Sequence, residues 1–328
     1  MTDHPKIMQC WVAEDAPGVA NLKLTSRPVP CASPGRMIIK VVAAALNFSD
    51  ILMINSAYQV RPPRPFVPGQ EVAGVVVRVD EGSRWKVGDR ITTKVYWGGF
   101  AEYAEVREDM AIPVPSGMQL QHAAALPVVY TTSMVALHHS VSVSEDDTVL
   151  VHAAAGGVGL AAVEIAHAAG ATVIATASSH FKRELARKHG ADHAINYTEA
   201  DWKDRVKSLT NDNGATIIVD PVGGDVARQS MRCIARYGTL LIVGFASGDI
   251  AELPTNQLLL KSASATGVLW DHDKDPAMIA SMTDRLTTLL IAGKINPVVN
   301  ADYSLADLPR ALNDLENRKT VGKIVLCL

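Results

Sequence analysis

Thr148 to Gly170 reads TVLVHAAAGGVGLAAVEIAHAAG, and the fold of the chain turns on this stretch. Thr148 to Val151 is a short apolar run with β-branched residues, as a buried strand requires. His152 to Gly157 is small and glycine-rich, a turn whose backbone can come close to a ligand. From Val158 to Ala169 the residues are alanine-rich helix formers, and Gly170 stands where a helix ends. The product is a strand, a tight turn and a helix whose N-terminus aims free N–H groups and a positive dipole end at one point. Such a point suits a pyrophosphate. The dinucleotide fingerprint GxGxxG is present as Ala154, Gly156 and Gly159, with alanine in first place. An Ala/Gly-rich buried helix start that holds no ligand would share this much of the pattern. A second strand, Ala171 to Thr176, follows at once and supplies the βαβ context that the fingerprint needs.

Outward from there the alternation continues. Strands are expected at Ala194 to Asn196, Thr216 to Asp220, Thr239 to Val243 and Ser264 to Val268. Helices are expected between them at Phe181 to His189, Asp201 to Leu209 and Asp225 to Arg236. Six strands with helical crossovers predict a doubly wound parallel sheet. Upstream, residues 1–125 hold short β-like runs broken by Pro and Gly: Met37 to Ala44, Val72 to Val79, Asp89 to Thr93 and Phe100 to Val106. The segment SAYQVRPPRPFVPG, Ser56 to Gly69, is a stiff extended loop carrying Pro62, Pro63, Pro65 and Pro68. Its Arg61 and Arg64 fit either an anionic substrate tail or ordinary solvated loop charges. The end of the chain reads as helices at Pro276 to Ala292 and Leu305 to Asn317, then a strand, Lys323 to Cys327. This run does not extend the alternation. The expected domains are therefore 1–125 with 268–328, β-rich, and 126–267, the α/β fold.

With 328 residues and a net charge of -3, the chain has length for about two domains and no basic surplus to attract nucleic acid or an anionic membrane. The four cysteines are scattered, which argues against a disulfide framework or zinc knuckle and fits a reducing cytoplasm. No apolar run is long enough for a signal peptide at the N-terminus or for a membrane span elsewhere. No histidine has the spacing to Cys, Asp or Glu of a closed zinc site.

The residue that ends the second strand of a dinucleotide fold lies beside the adenosine ribose, where an NAD enzyme supplies Asp or Glu to the 2′-OH. Here Ser178 and Ser179 stand there, with Lys182 one turn into the next helix and Tyr197 after the third strand. Hydroxyls and an ammonium hold a 2′-phosphate that a carboxylate would repel, so NADPH is the expected cofactor. Lys182 by itself also reads as a solvated helix residue.

The order AALNFSDILMINSAY, VPGQEVAGVVVRVDEG, VGDRITT, HAAAGGVGLAAVEIA and GKIVL resembles the zinc-free branch of the medium-chain dehydrogenase/reductase superfamily, and within it the zeta-crystallin type of quinone oxidoreductase and the related enoyl reductases. The resemblance implies a GroES-like catalytic domain, a Rossmann domain inserted before its last segment, and a homodimer joined through the Rossmann sheets. Zinc-dependent members carry Cys near the place of Asn47 and GHE where this chain has Gly69-Gln70-Glu71, so no metal is expected. By the resemblance Asn47 touches the nicotinamide ribose, Thr132 and the backbone of Gly156, Gly157 and Val158 hold the pyrophosphate region, and Ser178, Lys182 and Tyr197 hold the 2′-phosphate. Arg318 falls where related quinone reductases place another phosphate-binding Arg, and Phe245 lies beside the nicotinamide. Tyr58 matches a Tyr that enoyl reductases use in protonation; as a residue it equally reads as an aromatic at a loop edge. The implied activity is NADPH-dependent, metal-free hydride transfer to a quinone. Its alternatives are reduction of an α,β-unsaturated carbonyl or enoyl thioester, or NADPH binding with little turnover.

Overall fold

The structure, a computed structural model, describes residues 5–328; the first four, part of the N-terminal stretch read for a leader, lie outside the described residues. The chain forms two compact units, Met1–Val128 with Pro297–Leu328, and Val129–Asn296.

The first unit is β-rich. Strands Ile7–Ala13 and Leu22–Pro28 form an antiparallel hairpin, which the sequence reading left unassigned. A seven-stranded sheet runs in the order Val299–Ser304, Lys323–Cys327, Arg36–Ala45, Glu71–Arg78, Arg90–Lys94 and Ile112–Pro113, with Tyr103–Arg107 paired to Arg36–Ala45 off that path. One face buries Met37, Ile39, Val41, Val72, Ile91 and Phe100 with helices Phe48–Ile54 and Leu308–Glu316. The other packs Ala43, Ala45, Ala73 and Val325 against the short helix Leu120–Ala123. The last strand of the chain runs antiparallel to Arg36–Ala45, with Val325 opposite Ala45. Leu46 N–H donates to Ile324 O at 2.9 Å, and this pairing sets Lys323 beside Asn47.

The second unit holds six parallel strands in the order His193–Ile195, Thr172–Thr176, Thr148–Val151, Ala215–Asp220, Ile234–Ile242, Ser264–Gly267. Counted along the chain this is 3-2-1-4-5-6, the doubly wound order. The chain is thus α/β, a GroES-like β-rich unit and a Rossmann sheet. Helix Gly157–Ala168 buries Leu160, Ala161, Val163 and Ile165. Gly159 permits the turn before it, because a Cβ there would stand 2.7 Å from Ala154 Cα.

Three differences from the sequence reading have physical causes. Helix Pro276–Ile291 packs on Val129–Met134 and on the wide-turn helix Val135–Ser140 that continues it, so the segment before Pro297 lies in the second unit rather than the first. The helix expected at Asp225 to Arg236 stops at Ser230, since Cys233, Ile234 and Ala235 are buried and Ile234 already opens the next strand. The pairing skips from Ala215 opposite Ile234 to Ile217 opposite Thr239, a bulge that places Tyr237 at φ 64. Finally, helices Phe48–Ile54 and Thr255–Lys261 are seven residues each, too short for a periodic signal to show.

Candidate active site

In the first unit a cluster of charged and polar side chains is sealed among apolar strands. Lys323 Nζ donates to Leu46 O at 2.6 Å, to Asn47 Oδ1 at 2.7 Å and to Glu71 Oε2 at 2.8 Å. The side chains of Lys323 and Glu71 are 5% and 0% exposed. Asn47 Nδ2 donates to the same Glu71 oxygen at 3.0 Å, and Glu71 Oε1 accepts from Val128 N–H at 2.7 Å. A buried ammonium needs a counter-charge and acceptors for its protons. Here its three N–H bonds meet three acceptors. Asn47 is thereby locked by both ends of its amide.

Around this cluster lie Asp50, Ser49, Gln70 and Tyr58. Asp50, 0% exposed, accepts from Asn47 N–H at 2.8 Å through Oδ2. Among the described residues its Oδ1 has no hydrogen-bond partner. Burial pushes its carboxyl up to about 7 against the pull of the Asn47 N–H, the Lys323 charge and, more weakly, the Gln70 N–H, and Glu71 adds to the rise. Ser49 Oγ donates to Gln70 Oε1. Tyr58 is half-buried and packs on the apolar core. Burial, and then the charge of Asp50, hold its hydroxyl above its ordinary range. Asn47, Asp50, Glu71 and Lys323 form one bonded cluster, and Tyr58 borders it within reach of the Asp50 charge. Arg64 is not part of it: its guanidinium donates to Glu14 O at 2.6 Å and Ser56 Oγ at 3.2 Å, and also to Ile54 O. It pins the proline-rich loop, while Arg61 stays exposed.

In the second unit, Gly156, Gly157, Val158, Ser178, Lys182, Tyr197 and Phe245 all follow the C-terminal ends of parallel strands, the edge where open α/β sheets hold ligands. Gly156 is the N-cap of Gly157–Ala168, and no acid stands in the first turn. A Cβ at Gly156 would meet only Ala153 O, at 3.4 Å, within 4 Å, so the space over the turn is open to a phosphate. Ser133 Oγ donates to Val158 O at 3.2 Å, tying helix Val129–Met134 to this turn. Thr132, on that helix, accepts from Trp270 Nε1 at 3.0 Å.

At the end of Thr172–Thr176 the chain runs Ala177-Ser178-Ser179 without a carboxylate. Ser179 Oγ accepts from Lys182 N–H at 3.2 Å and caps helix His180–Lys188, whose first turn has no acid. Arg183, unremarked in the sequence, donates to Ser178 O at 2.9 Å. Tyr197 follows the neighbouring strand His193–Ile195. The residues of this end fit a 2′-phosphate. Phe245 is exposed, with its ring over Gly223. Arg318 lies in the first unit, after helix Leu308–Glu316, with φ 55.

Sequence reasoning missed Asp50, Glu71 and Lys323 as a group. The signal was present: a charge of opposite sign opens each of two largely apolar strands, Glu71 in EVAGVVVR and Lys323 in KIVLC. Among the described residues no group of three or more His, Cys, Asp or Glu could hold a metal ion.

Residues 33–116 match the family model described as the alcohol dehydrogenase GroES-like domain, and residues 157–288 match the model described as zinc-binding dehydrogenase. A quinone oxidoreductase-like protein 2 homolog of Nematostella vectensis is 38% identical over 294 residues, covering 88% of this chain and 80% of that protein. Among solved structures, mycobacterial Rv1454c complexed with NADPH superposes with TM-score 0.91 at 31% identity, over 98% of this chain and 100% of that one. The Escherichia coli quinone oxidoreductase complexed with NADPH gives TM-score 0.88 at 28% identity, over 98% of this chain and 99% of that one. Fold and site define an oxidoreductase of the medium-chain dehydrogenase/reductase type. Within that superfamily the chain belongs to the zinc-free quinone oxidoreductase branch.

The buried carboxyl of Asp50 yields a stability test. Its folded value, about 7, lies above the ordinary 3.8, so between these the folded protein holds a proton that the unfolded chain has lost. Stability then falls as pH rises through this window and the penalty is complete above it. A gap of about three units corresponds to roughly 4 kcal/mol. Asp50→Asn should therefore gain on the wild type by that order between pH 4 and pH 8, measured by denaturant unfolding at each pH. A constant difference between the two proteins would contradict the assignment.

Proposed function

We propose that the protein is an NADPH-dependent quinone reductase that works without a metal. The carrying observation is the Lys323–Glu71–Asn47 cluster. It fills the neighbourhood in which zinc-dependent relatives keep their ligands, and Gln70, in the place of a ligand His, accepts the Ser49 proton instead. Bound NADPH supplies hydride, the one chemical step that the side chains themselves do not perform. The first turn of Gly157–Ala168 binds its pyrophosphate, with Thr132 beside that turn. Ser178, Lys182 and Tyr197 hold the 2′-phosphate, and Arg318 is proposed as a further phosphate contact. Asn47 is proposed at the nicotinamide ribose and Phe245 beside the ring. The acceptor oxygen gains negative charge as it is reduced, and hydrogen-bond donors stabilise it; Asn47, Tyr58 and backbone N–H groups are proposed to share this. A quinone takes its protons on oxygen, where water suffices.

The half-buried Tyr58, beside the cluster that holds Asn47 and Asp50, favours a second reading, reduction of an enone or enoyl thioester, in which an acid must protonate carbon.

A homodimer is proposed on the edge of the Rossmann sheet. Strand Ser264–Gly267 ends the sheet, and Leu259, Leu260 and Leu269 around it are 79%, 78% and 76% exposed. An unpaired edge flanked by apolar side chains suits a second copy. Light scattering should give twice the chain mass for the wild type and the chain mass for Leu260→Glu. A monomeric wild type would refute the interface.

The cofactor subsite predicts tighter binding of NADPH than NADH, and Lys182→Ala should erode the preference by roughly 1.5–3 kcal/mol. Equal dissociation constants for the wild type would sink it. For the reaction, NADPH oxidation is followed with quinone and enone panels. Tyr58→Phe should cut enone turnover by about 10²-fold while quinone reduction stays within a few-fold. Equal loss on both panels with a raised NADPH dissociation constant would make Tyr58 a packing residue.

A further inference from the structure

His152 opens the turn that follows strand Thr148–Val151, and its ring is a buried titratable group, 1% exposed, that the proposed reaction does not use. Both ring nitrogens are bonded. Nδ1 lies 2.9 Å from Thr176 Oγ1, and Nε2 lies 2.8 Å from Ser230 Oγ. Trp202 stands edge-on to the imidazole, with ring centroids 5.3 Å apart and planes at 87°.

These partners fix which nitrogen carries the proton. A serine hydroxyl has one proton to give, and Ser230 Oγ donates it to Val226 O at 2.8 Å. Towards the ring Ser230 can only accept, so Nε2 is the protonated nitrogen. In the neutral imidazole Nδ1 is then bare, and it accepts the Thr176 hydroxyl proton. Burial favours that neutral form, holding the ring below its ordinary range against the pull of Asp220. Donor meets acceptor at each end of the ring.

The bonds bear on a strained turn. Ala153, the next residue, has φ 48, a left-handed conformation that is costly for a residue with a Cβ and persists where the surroundings impose it. Thr176 grips both of its flanks. The Thr176 hydroxyl binds His152 on one side, and the Thr176 carbonyl accepts Ala154 N–H at 3.0 Å on the other. His152 N–H donates to Val219 O at 3.0 Å, which fastens the turn to strand Ala215–Asp220 as well. Ala153 O accepts Gly156 N–H at 2.9 Å, so the place of Ala153 sets the place of the helix cap. Thr176 also ends the strand that leads into Ser178 and Ser179, and Ser230 ends helix Gly224–Ser230. One imidazole thus joins the glycine turn, the end of the second strand and a third crossover helix.

We propose that His152 is a positioning residue for the cofactor: as the neutral ring protonated at Nε2, it holds Thr176 and Ser230 to the turn and so sets the backbone N–H groups of Gly156, Gly157 and Val158 for the pyrophosphate. The inference rests on the reading that places the cofactor at this turn. His152 acts through the backbone and moves no proton during turnover. The pyrophosphate is common to NADPH and NADH, so loss of the arrangement weakens both alike. Lys182, by contrast, acts on the 2′-phosphate and hence on the preference between them.

The test uses Thr176→Val, which keeps the shape of the side chain and removes the hydroxyl proton that Nδ1 accepts, beside the wild type and Thr176→Ser. Dissociation constants for NADPH and NADH are measured by titration calorimetry well below the melting temperature of each protein. In Thr176→Val both constants should rise about tenfold, the scale of one lost buried hydrogen bond, with the preference for NADPH kept. Thr176→Ser, which restores the hydroxyl, should return both to within a few-fold of the wild type. A lowered melting temperature with unchanged dissociation constants makes the contact a stabilising one only and overturns the inference, as does a rise for NADPH alone. A wild type that binds neither cofactor refutes instead the placing of the cofactor at this edge. A second measurement needs no variant: nitrogen–proton correlation spectra of the wild type with labelled histidine, the His152 signals assigned through their proximity to the Trp202 ring, should show at neutral pH a proton on Nε2 and a bare Nδ1. A proton on Nδ1, alone or together with Nε2, contradicts the proposal.

Discussion

The first unit depends on one buried ammonium and the three oxygens around it. Lys323 arrives on the last strand of the chain, Glu71 on the strand that follows the proline-rich loop, and Asn47 at the start of helix Phe48–Ile54. These elements are remote in sequence, and the ion pair holds their ends together where no water can substitute. Removing either charge would leave the other buried and unpaired, which costs about 3–5 kcal/mol. The same constraint shapes the chemistry. Glu71 neutralises Lys323, so Asp50 is left as the group whose ionisation burial penalises.

The second unit uses backbone rather than side-chain charge. Its crossover helix begins on Gly156 with an open turn and no acid, and its second strand ends on serines rather than a carboxylate. A turn of N–H groups at a helix dipole suits a pyrophosphate, and an ammonium with hydroxyls suits a further phosphate. Division of labour follows from the two architectures. The parallel sheet places loops at the edge where open α/β sheets hold ligands, and the β-rich unit carries a buried polar cluster. The Escherichia coli quinone oxidoreductase shares this fold over 98% of the chain.

Much of the Rossmann unit was legible because its signals are local: a β-branched run, a glycine turn and an alanine-rich helix sit within Thr148 to Gly170. The missing acid after Thr176 is likewise a matter of one position. What escaped reading needs contacts between distant segments. Lys323 and Glu71 each look like a stray charge in an apolar strand until the sheet brings them to 2.8 Å. Helix Phe48–Ile54 is too short to show a period, and the bulge at Tyr237 ends a stretch whose composition reads as helix. Helix Pro276–Ile291 has an amphipathic pattern, but a pattern says that a face is covered and not by what; its partner is Val129–Met134.

The central claim is metal-free hydride transfer from NADPH. The most direct measurement is deuterium transfer from 4-deuterated NADPH to the acceptor by protein stripped of metal ions, with the isotope effect on NADPH oxidation recorded. The account predicts full turnover, a primary isotope effect with one of the two C4 isotopomers only, and no gain on adding zinc. Loss of turnover on stripping, restored by one equivalent of zinc, would contradict it.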